Sequence, residues 1–168
     1  MPAMAQLQII SVVAMSDNFS VLLILKDRLQ YTLRFMSYMN HIKFPYEIVI
    51  ADGGKNLEIQ NILQHNRNFP NLNYKYIRYP YDETLNHFHE KMARVVDEIR
   101  SPTVSVMDND DFILSEGISK CLCVLKENDN YSSARGAIFR ANISHDICGH
   151  LNVGTNMYTK YPNSIIEQ

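Results

Sequence analysis

Apolar residues gather first in a short unbroken run, Phe19 to Leu25 (FSVLLIL), which has the length of a strand rather than of a helix. A run without alternation suits a strand covered on both faces, as in a parallel sheet. Beyond the polar Lys26, Asp27 and Arg28, the residues Leu29, Leu33, Met36 and Met39 recur at spacings of 4, 3 and 3, which is one face of a helix. Phe44-Pro45 breaks that helix, and Tyr46 to Ala51 (YEIVIA) reads as a second buried strand that stops at Asp52-Gly53-Gly54. Ile59, Ile62 and Leu63 mark an amphipathic helix over 57–66, and Tyr74 to Tyr79 (YKYIRY) alternates as a third strand would. The clearest stripe follows: Leu85, Phe88, Met92, Val95 and Ile99 step by 3, 4, 3 and 4 and predict a helix that Ser101-Pro102 ends. Thr103 to Met107 (TVSVM) is a fourth strand and runs straight into Asp108-Asn109-Asp110-Asp111. Ser115 is then placed to cap a helix whose first turn holds Glu116 and whose buried stripe is Ile118, Cys121, Leu122 and Leu125. One more strand is predicted near Ala134 to Phe139, after which periodicity fades.

Strands that alternate with helices imply an α/β fold built on a mostly parallel open sheet flanked by helices, because parallel neighbours need crossover connections. A chain of 168 residues fits one domain spanning 1–168, with residues 1–16 read as an extension. In such sheets ligands sit outside the carboxyl ends of the strands. Three polar exits are therefore the places to look: Lys26 to Arg28, Asp52 to Gly54, and Asp108 to Asp111.

Composition narrows the function classes. Sixteen basic residues against 18 acidic ones leave a net charge of -2, and the cations are scattered singly, so a nucleic-acid partner is not expected. The three cysteines are odd in number and match no zinc or redox spacing, which predicts reduced, partly buried thiols. The mildly apolar Leu7 to Met15 lacks a basic leader and is far too short to cross a bilayer. A cytoplasmic protein without a transmembrane segment is the simplest reading, and peripheral membrane association is compatible with it.

The chemistry concentrates in the acidic cluster. Three carboxylates within four residues repel one another unless a cation or several donors neutralise them. Carboxylate oxygens are hard ligands suited to Mg²⁺ or Mn²⁺, and Mg²⁺ is usually held by one or two protein carboxylates together with substrate phosphates. The competing reading takes Asp and Asn as ordinary loop residues after a strand. Position at the ligand-binding edge of the sheet, with the apolar Phe112-Ile113 following, favours the metal site. Asp52 at its strand exit could accept from a base or from ribose hydroxyls, with Gly53-Gly54 letting a ligand approach the backbone, although a plain turn explains the same residues. Lys26 and Arg28 could meet a diphosphate or a base, and a solvated loop is the alternative. His87 and His89 fall on different helical faces and are read as non-catalytic. His145, Asp146, Cys148 and His150 fit no zinc template, and the series Tyr74, Tyr76, Tyr79 and Tyr81 is read as sheet surface and core. Gly136, a lone glycine near the last predicted strand, is weak evidence of close backbone approach.

With these residues in view, the chain resembles the family-2 glycosyltransferases of the GT-A fold, in particular a bacterial branch carrying a DxDDF motif. The resemblance rests on FSVLLILKDRLQYTLRFMSYM, on YEIVIADGG and on SPTVSVMDNDDFILSEGISKCLCVLKENDNYSSARGAIF, and covers about Phe19 to Phe139. It implies a metal-dependent, inverting transfer of a sugar from a nucleoside-diphosphate-sugar donor to a hydroxyl of a sugar or glycan acceptor. By resemblance, Asp110 is the principal ligand of Mn²⁺ or Mg²⁺, Asp108 contacts ribose or metal, Asp52 contacts base or ribose, and Asp111 supports the loop. The cofactor-binding set is thus Lys26, Arg28, Asp52 and Asp108, and the metal set Asp108 and Asp110. The chain departs from the family where Lys26 to Arg28 replace a Pro and Asn, where Ala51-Asp52 replaces two acids, and in its length. It is accordingly expected to be a truncated GT-A domain with the general base beyond Gln168, and turnover by this chain alone stays open. The alternatives are a nucleotidyltransferase, for which the Gly-rich phosphate loop is missing, and a catalytically incomplete nucleotide-sugar-binding fragment.

Overall fold

The computed structural model describes residues 18–145, Cys148 and 151–159, so the predicted extension over 1–16 lies outside the described residues. The chain divides between Phe112 and Ile113 into two compact units. The first unit holds β1 (Phe19–Leu25), α1 (Leu29–His41), β2 (Glu47–Asp52), α2 (Leu57–Leu63), β3 (Tyr74–Arg78), α3 (Leu85–Val96) and β4 (Thr103–Met107). The second holds α4 (Ser115–Glu127) and an antiparallel pair, β5 (Ile138–His145) and β6 (Leu151–Thr159).

The four strands of the first unit form one all-parallel sheet in the order β3-β2-β1-β4, flanked by helices. Val21, Leu22, Leu23 and Leu25 are all buried, which is why β1 reads as an unbroken apolar run. On one face Leu22, Val49 and Ala51 pack with Val95 of α3, and Ile24, Ile77, Tyr79, Met92 and Ile99 close around them. Alternation sends Val21, Leu23, Leu25, Ile48 and Ile50 to the opposite face, where they are equally buried. Phe35, Met36 and Met39 of α1 and Ile59 and Leu63 of α2 are buried as well, and those two helices touch.

Several boundaries differ from the sequence reading, each for a local reason. The second strand runs one residue further, so Asp52 is paired in the ladder opposite Leu25 and Arg78 instead of lying in a loop. The helix predicted over 57–66 ends at Leu63 and gives way to a 3-10 turn at Asn66–Asn68. Ser115 is the first residue of α4 and not its cap: Leu114 holds the cap position, and no side chain caps that helix end. Ile118 is buried in α4, while Cys121, Leu122 and Leu125 are only half-buried. The last predicted strand begins at Ile138 and runs past Phe139 to His145, paired with β6, where alternation in the sequence is too weak to announce a hairpin. The three cysteines form no disulfide, and only Cys121 is partly buried; Cys123 and Cys148 are exposed.

Candidate functional site at the strand exits

The chain leaves β1 toward β2 and β3 on one side and returns to place β4 on the other side of β1. Strand order reverses there, and at such a switch point the loops diverge to leave a crevice outside the carboxyl ends. Leu23 pairs with Met107, so the exits Lys26 to Arg28 and Asp108 to Asp111 emerge side by side.

Asp27 and Arg28 both adopt the left-handed region, with φ of 58° and 62°. For residues with a Cβ that conformation costs about 1 kcal/mol or more each, and it concentrates where geometry is imposed by function or by strong local bonding. Both side chains bond across to neighbouring exits. Asp27 Oδ1 accepts the backbone N–H of Lys55 at 2.7 Å and of Asn56 at 2.9 Å, joining the β1 exit to the start of α2. Arg28 Nη2 donates to Asp110 Oδ2 at 2.8 Å, joining the β1 exit to the acidic cluster. Gly54 lies against this turn, and a Cβ on it would stand 2.4 Å from the backbone nitrogen of Asp27.

Within the quartet one residue anchors the loop and three are on display. Asn109 is buried and donates to Thr32 Oγ1 at 2.9 Å, and Thr32 is itself buried. Asp108, Asp110 and Asp111 are exposed. Phe112 holds the far side of the loop, edge-on to Tyr38 with ring centroids 4.8 Å apart. The Arg28 guanidinium holds the Asp110 carboxyl below its ordinary range, with Arg34 adding to the effect. Partial desolvation, and then the charges of Asp110 and Asp108, push the Asp111 carboxyl up. The mutual repulsion expected of the cluster is therefore felt at Asp111, while Asp110 is kept ionised.

Asp52 is fully buried and its oxygens are taken. Oδ1 accepts Gly54 N–H at 2.8 Å, and Oδ2 accepts the Tyr76 hydroxyl at 2.6 Å and Arg78 Nη1 at 2.7 Å. Burial, followed by the bond to Asp52, raises the Tyr76 hydroxyl far above its usual range, so it stays a donor. A ligand reaching Asp52 would have to displace one of these three donors. Lys26 donates through Nζ to the Asp82 carbonyl and lies over the Tyr81 ring.

Two residues at this edge escaped the sequence reading. Asp82 and Lys91 form an ion pair with side chains 2% and 1% exposed. Lys91 Nζ also donates to the Leu25 carbonyl at 3.0 Å, and the Asp82 amide donates to the Gly53 carbonyl at 2.9 Å, so the pair laces β1, the β2 exit and α3 together. The other oxygen of Asp82 has no hydrogen-bond partner among the described residues. The signal was present: Lys91 stands three residues after Phe88 and four before Val95, on the apolar stripe itself.

The remaining candidates are peripheral. His87 lines a cleft of about 210 Å³ with Tyr79, Tyr81, Glu90 and Arg94, and His89 is exposed. His145 ends β5; Asp146 and His150 lie outside the described residues. A Cβ on Gly136 would meet no atom of the described residues within 4 Å.

The donor chemistry at Asp108 and Asp110 fits a hard divalent ion held in part by protein. Among the described residues no group of three His, Cys, Asp or Glu side chains is placed to cage an ion, so other oxygens would have to complete its coordination. Among the described residues no helix is long and apolar enough to cross a membrane. No protein-family model matches the chain, and no curated protein is significantly similar to it.

Proposed function

We propose that this chain is the donor-binding part of a GT-A-type glycosyltransferase, which transfers a sugar from a nucleoside-diphosphate-sugar to an acceptor hydroxyl with inversion. The observation that carries the reading is the display of Asp108 and Asp110 at the switch point of a parallel sheet, beside the cationic exit of β1. Open α/β sheets take nucleotides at that position, and two exposed carboxylates one residue apart offer hard oxygen donors there.

In this reading Asp108 and Asp110 hold Mn²⁺ or Mg²⁺. The ion, when bound, neutralises charge that develops on the leaving diphosphate. Arg28 and Lys26 bind the nucleotide from the β1 exit, Arg28 also keeping Asp110 ionised. Asp52 supports the nucleotide through the Gly53-Gly54 turn that its carboxylate holds. Asn109 fixes the loop from beneath.

Calorimetric titration with UDP, GDP and dTDP, with and without Mn²⁺, tests the assignment. Mn²⁺ is expected to tighten the binding of one nucleotide, and Asp110→Ala to abolish that tightening. Equal binding by Asp110→Ala, or no metal-dependent binding by wild type, would remove the proposal.

A further inference from the structure

The exits of β1 and β2 bring two lysines to one aromatic ring. Lys26 Nζ lies 5.0 Å and Lys55 Nζ 4.1 Å from the centroid of Tyr81, which follows β3. Both lysine side chains are exposed, and Tyr81 is half-buried. Among the described residues neither ammonium forms a salt bridge. The neighbouring carboxylates are already committed. Asp27 accepts two backbone N–H groups, Asp52 is held by Gly54, Tyr76 and Arg78, and Asp82 is paired with Lys91. The two lysines thus place two ammonium groups without a salt-bridge partner among the described residues at the ligand edge of the sheet.

One donor of Lys26 is spent on the Asp82 carbonyl, which pins the head group and leaves two donors of its ammonium for another acceptor. Lys55 is held by the ring face alone, and its other donors point to no acceptor among the described residues. A multiply charged anion within reach of both ammonium groups is attracted by each. Phosphoryl oxygens are such acceptors, and an ammonium serves them as a point charge without demanding a fixed fork geometry.

We propose that Lys26, Lys55 and Tyr81 form a phosphoryl-binding subsite at the exits of β1 and β2, which holds a diphosphate without a metal ion. It rests on the donor-site reading only in identifying that diphosphate as part of a nucleotide. Its chemistry is separate from that of Asp108 and Asp110, so the two can be dissected.

The probe is inorganic pyrophosphate, titrated into the described chain in metal-free buffer and followed by backbone amide shifts and calorimetry. Wild type binds, with the largest shifts at Lys26, Lys55 and Tyr81. Loss of one charge-assisted bond weakens binding about tenfold, so Lys26→Gln and Lys55→Gln each lower affinity by about that factor. The double variant loses measurable binding, and the control Lys75→Gln keeps it; Lys75 is exposed but paired with Glu98. Absence of binding by wild type, or undiminished binding by the double variant, overturns the subsite. Pyrophosphate binding through these lysines without metal-dependent nucleotide binding would sink the donor reading and leave the subsite standing. Metal-dependent nucleotide binding indifferent to both lysines would overturn the subsite, and with it the place of Lys26 in the donor reading, and leave Asp108 and Asp110 as the metal site.

Discussion

Replacing Lys91 by Met removes the positive half of an ion pair that is almost wholly inside the protein. Methionine fills a similar space, so the loss is electrostatic. The Asp82 carboxylate, one of whose oxygens already lacks a partner among the described residues, then has no cation, and the Leu25 carbonyl loses a donor. Stripping one partner from a buried pair typically costs 3 to 5 kcal/mol, roughly a third or more of the net stability of an ordinary domain. With a urea slope of about 2 kcal/mol per molar, a loss of about 4 kcal/mol lowers the unfolding midpoint by about 2 M. The paired variant Asp82→Asn with Lys91→Met removes both charges and keeps the shape, so it should regain at least half of that loss. Urea denaturation followed by circular dichroism reads both values. A Lys91→Met midpoint within about 0.5 M of wild type, or a double variant as weak as the single one, would show the pair to be no structural tie.

Other outcomes follow from neighbouring geometry. Gly54→Ala places a Cβ 2.4 Å from backbone at Asp27, which cannot swing away, so it should destabilise by about 1 to 3 kcal/mol; Gly117→Ala enters open space within α4 and should be neutral or stabilise by about 0.5 kcal/mol in the same assay. Arg28→Gln frees Asp110 to titrate closer to the ordinary 3.8 in a carbon-detected NMR titration. Because Asp110 is depressed in the folded chain, the pair's small contribution is complete above that ordinary value and fades as pH falls through the lower, folded one. In the same titration Asp111 should take up its proton at higher pH than an ordinary aspartate, and an unshifted Asp111 would contradict its partial burial and the charges of Asp110 and Asp108 beside it.

How far the sequence exposed this architecture depended on what each residue's role is set by. β1 and β4 were legible to the residue because strand burial on two faces, or an abrupt polar boundary, is a local pattern. The parallel sheet followed from alternation of strands and helices alone. Asp52 was misleading in one respect: its place before two glycines suggests an exposed turn, yet its surroundings are set by Tyr76 and Arg78, more than 20 residues away. Asp82 had no local signal, since its partner lies on another element. Within the quartet, spacing could not tell Asn109, which is buried against Thr32, from the three aspartates on display. The hairpin of β5 and β6 has too little alternation to be predicted, and its pairing is what defines it.

The central claim is that Asp108 and Asp110 hold a divalent ion together with the diphosphate of a nucleotide. Paramagnetic broadening by Mn²⁺ in amide spectra tests it most directly, because the ion erases only the signals close to it. With the preferred nucleoside diphosphate present, sub-stoichiometric Mn²⁺ should broaden Asp108 to Asp111 and the β1 exit first, and Asp110→Ala should abolish that pattern. Broadening confined to other acidic patches, or unchanged in Asp110→Ala, would contradict the account.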